Sequence, residues 1–202
     1  MRLSPNPGAF TAAHPEIEIE LESSDTIRTL GADADIAVRY FGAGSRRRVR
    51  GARRLFSIEG VPVVAGLLSP AERRFDDAAI LEHRLLHDDD GKAWRGWFAA
   101  AGLDSFENAR HQYFSDYSMA LAAAQAGQGV ALGASTFIEP ELKNGRLVEL
   151  GRTRVDFGTY WLLQSRSRLG RASRAAFVRW LEGEVGRIPA LRTRESPDAA
   201  RR

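Results

Sequence analysis

One segment indicates the fold more clearly than the rest of the chain: Asp116-Tyr117-Ser118-Met119-Ala120-Leu121-Ala122-Ala123-Ala124-Gln125-Ala126-Gly127-Gln128-Gly129-Val130-Ala131-Leu132-Gly133. Ser115 and Asp116 can begin a helix, because their side chains accept hydrogen bonds from first-turn N–H groups. Gly127 can end it, since glycine readily adopts the left-handed conformation found after many helices. The apolar run that follows predicts a buried strand. The segment therefore predicts a short alanine-rich helix that leads directly into a core strand.

Length and composition limit the class of protein. With 202 residues, of which 44% are hydrophobic, the chain can bury the core of one large domain or two small ones. The sequence has no apolar run of about 18 residues, so no membrane span is predicted. Its N-terminus lacks the apolar core of a signal peptide. The cysteine count of zero excludes disulfides, thiolate metal sites and cysteine nucleophiles. These features predict a cytoplasmic protein.

Positive charge is concentrated in two places. The net charge is +3, and six arginines lie between Arg46 and Arg54. Such a cluster can neutralise phosphates, but it has no interleaved aromatic residues and no DNA-binding motif. A solvated loop is therefore the preferred interpretation. Residues 187–202 are rich in Arg, Pro and Ala, and we predict that they form a disordered basic tail.

Strand and helix signals alternate along the chain, which predicts an α/β fold. Strict alternation of apolar and acidic residues at Glu16–Glu22 predicts an edge strand. Further strands are predicted at Asp35–Tyr40, Val61–Ala65, Leu85–His87 and Phe157–Leu163.

Two amphipathic helices accompany these strands. The first follows Asp88-Asp89-Asp90, which we interpret as its N-terminal caps, and places Trp94, Trp97, Phe98 and Ala101 on one face. We interpret that face as packed core, although a stack against a ligand is the alternative. The last helix has an apolar stripe of Phe177, Trp180, Leu181 and Val185, and Arg174 is expected to lie off it.

In this order, the segments resemble the effector-binding domain of LysR-type transcriptional regulators, particularly the glycine-cleavage-activator-like subgroup. The similar segments are Ala12–Ile17, Asp35–Tyr40, Val61–Val63, Leu85–His87 with Trp94 and Trp97, Ala126–Gly129, Leu142–Val148, Tyr160–Leu162 and Phe177–Leu181. The resemblance implies two Rossmann-like subdomains of the periplasmic-binding-protein type, joined by two crossover strands around a ligand cleft. Residues 10–64 and 158–186 would form a discontinuous subdomain I, and residues 65–157 would form subdomain II.

The beginning of the chain departs from this family. Members begin with a winged helix-turn-helix and a linker helix, and this sequence contains neither. Subdomain I would also lack its first strand, and Pro5 and Pro7 disfavour a regular helix near the N-terminus. A truncated chain, a mis-assigned start and a degraded gene are all consistent with this departure.

The start of the alanine-rich helix is the first candidate binding site. A helix N-terminus offers unpaired N–H groups and a partial positive charge, which suit a carboxylate or phosphate. The resemblance implies that Ser115, Asp116 and Tyr117 contact an effector. Ser115 would donate a hydrogen bond, Asp116 would accept one from an amine, and Tyr117 would supply a wall. The alternative is that Ser115 or Asp116 only caps the helix.

Three further residues are candidates for effector binding. Arg39 and Tyr40 end a strand, where open α/β sheets place ligands. Arg39 could pair with an anionic effector, or form a salt bridge with a nearby carboxylate. Tyr160 matches a cleft-facing position of the family, against the alternative of packing within a strand.

An enzymatic site is not indicated. His14, His83, His87 and His111 make no metal-binding pair, so no metal is predicted. The sequence contains no Gly-x-Ser-x-Gly elbow and no dinucleotide fingerprint, so we predict no cofactor and no catalysis.

The predicted function is therefore effector sensing and oligomerisation within a transcriptional regulator. The expected partners are a small anionic or amino-acid-like effector and further copies of the chain, in a homodimer or tetramer. DNA would be bound only through a helix-turn-helix that this chain does not contain. No membrane is expected as a partner. A free-standing solute-binding protein and a non-functional remnant are the alternatives.

Overall fold

The computed structural model describes residues 7–22, 30–32, 34–45, 51–68, 76–166 and 170–187. Residues 46–50 of the arginine cluster and residues 188–202 of the predicted basic tail lie outside these ranges. In chain order the helices and strands are α1 Pro7–Ala13, β1 Ile36–Gly42, β2 Arg53–Ala65, β3 Arg84–His87, α2 Lys92–Ala101, β4 Arg110–Tyr113, α3 Tyr117–Gln125, β5 Val130–Ala134, α4 Glu139–Lys143, β6 Leu147–Glu149, β7 Val155–Gln164 and α5 Arg171–Gly186.

The predicted α/β architecture is confirmed, and the chain forms two compact units. The first combines Met1–Ser57 with Gly158–Arg202, and the second is Ile58–Phe157. Strands β2 and β7 each begin in one unit and end in the other. The subdomain limits at residues 64/65 and 157/158 that the family resemblance implies remain predictions.

The first unit is built on the strand order β1–β7–β2. Strands β1 and β7 are antiparallel, with Ile36 opposite Gln164 and Gly42 opposite Gly158. Leu162 of β7 packs with Val178 and Leu181 of α5 in a buried cluster. Helix α1 adds Phe10, which is buried against the rings of Phe177 and Trp180 at centroid distances of 5.3 Å each.

Helix α1 corrects the expectation that a regular helix is disfavoured near the N-terminus. It begins at Pro7. The ring is compatible with a first helical residue, because its fixed φ suits the helix and its missing N–H would have no intrahelical acceptor there.

The strand predicted at Glu16–Glu22 is not formed, since these residues belong to no β-ladder. Ile17 and Ile19 are half-buried while the intervening glutamates are exposed, so the alternation does produce two faces. A strand also requires a hydrogen-bonded neighbour, and alternation within one segment does not supply it.

Arg174 was expected on the exposed side of the last helix, but its side chain is buried. Its guanidinium pairs with the carboxylate of Asp35 at 3.1 Å. A pattern that counts only apolar residues misses such a case, because arginine can bury its aliphatic stem when its charged end finds a partner.

The second unit has the strand order β2–β5–β3–β4, and β6 pairs with β2. Strand β3 is parallel to both β4 and β5, whereas β2 is antiparallel to β5 and β6. All five residues of β5 are buried, as the apolar run predicts. Strand β4 was not predicted from the sequence.

Helix α2 confirms the core interpretation of its tryptophans. Trp94 and Trp97 are fully buried, and their indoles donate hydrogen bonds to the carbonyls of Leu86 (3.0 Å) and Thr153 (2.9 Å). The preceding aspartates contribute to the helix start, because the Asp89 carboxylate accepts from the N–H of Ala93 at 2.9 Å. Gly102 ends the helix in the left-handed conformation.

Candidate functional site

The start of α3 has the form that the sequence predicts, and Asp116 is the residue that caps it. Its backbone is extended, and its Oδ1 accepts a hydrogen bond from the N–H of Met119 at 3.0 Å. Such a cap stabilises a helix by about 1 kcal/mol. Gly127 follows the helix at φ +76°, where glycine is favoured.

Ser115 lies beside this cap with its hydroxyl on the protein surface. The hydroxyl donates to Sδ of Met119 at 3.2 Å and approaches Oδ2 of Asp116 at 3.4 Å. Both are weak partners for a hydroxyl, because one is a thioether and the other is at the limit of hydrogen-bond distance. A ligand acceptor could therefore replace either at little cost.

Tyr117 has a structural role that the sequence did not predict. Its phenolic oxygen accepts a hydrogen bond from the N–H of Ala134 at 2.9 Å, which ties the first residue of α3 to the last residue of β5. Burial raises the pKa of the Tyr117 phenol to about 12, and the carboxylates of Asp88 and Glu141 add to this effect. The hydrogen bond from Ala134 opposes it. Tyr117 is therefore a neutral phenol at physiological pH.

The parallel pairing of β3 and β4 adds Asp88 to the candidate site. His87 lies opposite Tyr113, and the N–H of Phe114 donates to the carbonyl of His87 at 2.8 Å. The residues after these two strands consequently lie at the same sheet edge. Partial burial raises the pKa of the Asp88 carboxyl, and the neighbouring carboxylates of Asp89 and Asp116 raise it further.

This sheet edge is consequently negative in charge. Among the described residues, no lysine, arginine or histidine forms an ion pair with Asp88 or Asp116. A protonated amine is the group that such a pair of carboxylates would attract most strongly. The N–H groups at the start of α3 would favour an anion instead, so a ligand with both charges suits the edge best.

Directly before Asp88, the buried His87 ends β3 and lies against the half-buried His111 of β4. Nε2 of His87 lies 3.0 Å from Nδ1 of His111, whose Nε2 lies 3.1 Å from the carbonyl of Phe106. A carbonyl only accepts, so Nε2 of His111 carries its proton and Nδ1 accepts from His87. Nδ1 of His87 is then an unprotonated, buried nitrogen, and it has no hydrogen-bond partner within the described structure. Burial lowers the pKa of His87 to about 4, and His111 adds to that effect.

The first unit brings Tyr40 and Tyr160 together. They lie opposite each other on β1 and β7, with ring centroids 5.2 Å apart. Tyr160 is buried and also stacks on Phe56 at a centroid distance of 4.9 Å, and its role as an effector contact remains a prediction. Tyr40 is 47% exposed. Arg39 is half-buried opposite Trp161.

Among the described residues, the second unit contains a cavity. It has a volume of about 450 Å³ and is lined by Val61, Pro62 and residues 149–154. Arg154 in its wall already pairs with Glu149 at 2.5 Å. The cavity contains none of the predicted site residues, so it does not support the predicted site.

Asp88 is the site residue that sequence reasoning missed. The three aspartates 88–90 were interpreted only as helix caps. The signal that would have added Asp88 is β4, because a parallel neighbour of β3 brings the ends of both strands together. That strand is only four residues long and reads Arg-His-Gln-Tyr, which has no apolar alternation.

The comparison with known proteins settles the family. Residues 2–186 match the family model described as the LysR substrate binding domain. The chain belongs to this family. It is 30% identical over 184 residues to the glycine cleavage system transcriptional activator of Escherichia coli strain K12, which covers 89% of this chain and 59% of that protein.

A second relative is the HTH-type transcriptional activator AmpR of Rhodobacter capsulatus. It is 28% identical over 190 residues, covering 90% of this chain and 62% of that protein. The chain thus spans about three fifths of the length of these curated relatives. Both relatives are named as transcriptional activators, not as enzymes.

Solved structures agree with this membership of the LysR substrate-binding family. The effector domain of the transcriptional regulator AmpR of Pseudomonas aeruginosa superposes with a TM-score of 0.69 at 29% identity, covering 90% of this chain and 87% of that one. The regulatory domain of CrgA from Neisseria meningitidis shares the fold, with a TM-score of 0.66 at 18% identity. Within the described residues, no helix is both long and apolar enough to cross a membrane.

Proposed function

We propose that this chain is the effector-sensing part of a LysR-type regulator and that its effector binds at the start of α3. The observation that carries the proposal is the pair of carboxylates, Asp88 and Asp116, which interact electrostatically where α3 begins, with the hydroxyl of Ser115 beside Asp116. Family membership supports it, since the solved AmpR structure from Pseudomonas aeruginosa is described as an effector domain. Arg39, Tyr40, Tyr117 and Tyr160 remain predictions as effector contacts.

The charges favour an amino-acid-like effector over a simple anion. Its ammonium group would donate to Asp116 and Asp88, while its carboxylate would accept from Ser115 and from the first N–H groups of α3. Charge-assisted hydrogen bonds of this kind are about twice as strong as neutral ones. Recognition of both groups would therefore exclude ligands that carry only one.

In this proposal the chain acts together with partners and performs no catalysis. Its relatives include proteins named HTH-type activators, so DNA would be contacted by a helix-turn-helix outside this chain. The regulator would work in the cytoplasm as a homodimer or tetramer, and the effector would change how that assembly binds DNA.

Asp116→Asn tests the site, because asparagine caps a helix as well as aspartate does but carries no charge. We expect the melting temperature of the unliganded protein to stay unchanged. We also expect the affinity for an amino-acid ligand to fall about tenfold or more, since a charged hydrogen bond is lost. Differential scanning fluorimetry and calorimetric titration measure the two quantities.

A panel of small ligands tests whether the effector needs both an ammonium and a carboxylate group. Glycine, alanine and lysine provide both charges, whereas acetate and ethylamine provide one each. The exposed carboxylate of Asp104 lies in the loop after α2, and Asp104→Asn is the matched control, which should bind like the unmodified chain. Equal binding by Asp116→Asn, or a shift with acetate as large as that with glycine, contradicts the proposal.

A further inference from the structure

Met119 differs from the other exposed apolar residues because its side chain contains a thioether. The sequence has two methionines, Met1 and Met119, and the structure describes the second. Met119 is the third residue of α3 and is 50% exposed. A methionine packed in a core is shielded from dissolved oxidants, whereas an exposed thioether can be converted to a sulfoxide. The start of α3 therefore carries a sulfur atom that a two-electron oxidant can reach.

This sulfur atom lies next to a predicted effector contact. The hydroxyl of Ser115, which is also exposed, donates to Sδ of Met119 at 3.2 Å. The backbone of Met119 is fixed separately, because its N–H donates to Oδ1 of Asp116 at 3.0 Å. A thioether is only a weak acceptor, so the Ser115 proton remains available to a stronger one. A chemical change at the sulfur consequently alters the hydrogen bonding of Ser115 first.

We propose that Met119 is a reversible oxidation site and that its sulfoxide weakens effector binding at the start of α3; the second part rests on the function proposed above. The oxidant is a peroxide. A lone pair of Sδ forms the new S–O bond while the O–O bond of hydrogen peroxide breaks. The proton on the transferred oxygen passes to the departing hydroxide, which leaves as water. The sulfur loses two electrons and the peroxide gains them, and methionine sulfoxide reductases reverse the change.

The sulfoxide weakens binding by competing for the proton of Ser115. Its oxygen is polar and accepts hydrogen bonds more strongly than a thioether does. A hydroxyl has one proton to donate, so Ser115 bonded to the sulfoxide no longer donates to the carboxylate of the effector. The loss of one hydrogen bond to a charged group lowers the affinity about tenfold or more. The cap of α3 persists, because oxidation leaves the N–H of Met119 unchanged.

Mass spectrometry and melting temperatures test the oxidation site without any ligand. Dilute hydrogen peroxide should add one oxygen atom to the peptide that contains Met119, and the cysteine count of zero excludes thiol oxidation. Methionine sulfoxide reductases should remove it. Ser115→Ala should lower the melting temperature more in the oxidised chain than in the reduced chain, since only the sulfoxide is a strong acceptor. An unmodified Met119, or equal effects of Ser115→Ala in both forms, overturns the proposal.

Calorimetric titration with glycine tests the effect on binding. The affinity of the full chain should fall about tenfold after oxidation and recover after reduction. Met119→Leu is the matched control, because leucine has a similar volume but cannot be oxidised. Its affinity should be the same before and after peroxide treatment.

The reduced and oxidised chains separate this inference from the proposed function. If the reduced chain binds glycine and the oxidised chain binds it equally well, the proposed function stands and the oxidation proposal is overturned. An equal loss of affinity in Met119→Leu after peroxide treatment also overturns it, because another residue is then responsible. If the reduced chain binds none of the amino acids, the proposed function fails, and the control of effector binding by Met119 fails with it.

Discussion

Asp77 joins two segments that are far apart in the sequence. Its carboxylate accepts hydrogen bonds from the N–H groups of Arg152 (2.6 Å) and Thr153 (3.1 Å) and from the Thr153 hydroxyl (2.7 Å). Burial alone would raise the pKa of Asp77, but these hydrogen bonds outweigh it and lower the pKa below the usual value. Gly151 allows this close approach, because a Cβ there would collide with Oδ1 of Asp77.

We expect Asp77→Ala to lower the free energy of unfolding by about 2 kcal/mol, because hydrogen bonds to a charged group are lost. The neighbouring Asp76→Ala removes only a cap to Ala78 and should cost about 1 kcal/mol. Urea denaturation at pH 7 compares the two. Because the folded pKa is depressed, the contribution of Asp77 is present at neutral pH and disappears as the pH falls below 3.8. Equal losses for the two variants would contradict the central role of Asp77.

Helix α2 can be strengthened without touching its packed face. Gly96 is exposed, and a Cβ added to it meets no atom within 4 Å. Gly96→Ala should therefore raise the free energy of unfolding by about 0.5–1 kcal/mol, since glycine loses more backbone freedom in a helix than alanine. Chemical denaturation measures the change.

Gly129 before β5 is the contrasting position. A Cβ there would clash with the carbonyl oxygen of Arg84, so Gly129→Ala should destabilise by about 1–3 kcal/mol. If both alanine variants change the free energy of unfolding in the same direction, the space around each glycine does not determine the effect of its substitution.

Periodicity in the sequence correctly predicts those elements whose formation depends on the composition and spacing of their own residues. Strands β3, β5 and β7 consist largely of strand-forming or apolar residues, and α2 has its aromatic residues at helical spacing. The sequence patterns of strand β4 and of Glu16–Glu22 mispredict their structure, for opposite reasons. The first is polar but receives its hydrogen bonds from β3, whereas the second alternates but lacks a neighbour. Pairing between distant segments is decided by the tertiary structure, and no local window contains it.

The part of the candidate site that depends on neighbouring residues was predictable from the sequence, and the part that depends on strand pairing was not. Asp116 caps α3 as the local sequence indicates, because a cap depends on residues within one helical turn. Asp88 joins it only through the parallel pairing of β3 and β4. The family could be predicted from the sequence, since the order of many weak motifs along the chain is preserved even where single contacts are not.

The stability of the whole chain should depend on pH through its buried histidine. The neutral imidazole of His87 is buried near His111, Arg95 and Asp89, of which only Asp89 favours the charged imidazolium form. Its pKa is about 4 in the folded state and near 6.5 in the unfolded state. Between these values the unfolded chain binds more protons, so stability rises with pH in that window and is lost as the pH falls through it.

From pH 7 to pH 5 this single group should lower the free energy of unfolding by about 2 kcal/mol. His87→Gln, which can still donate to His111 but does not titrate, should remove most of that loss. A smaller dependence should persist, because burial also lowers the pKa of His83. Urea denaturation followed by tryptophan fluorescence gives the four free energies, with Trp94 and Trp97 reporting from the same unit. The same pH dependence in both proteins would show that His87 is not the responsible group, since carboxylates common to the two proteins would then account for the whole effect.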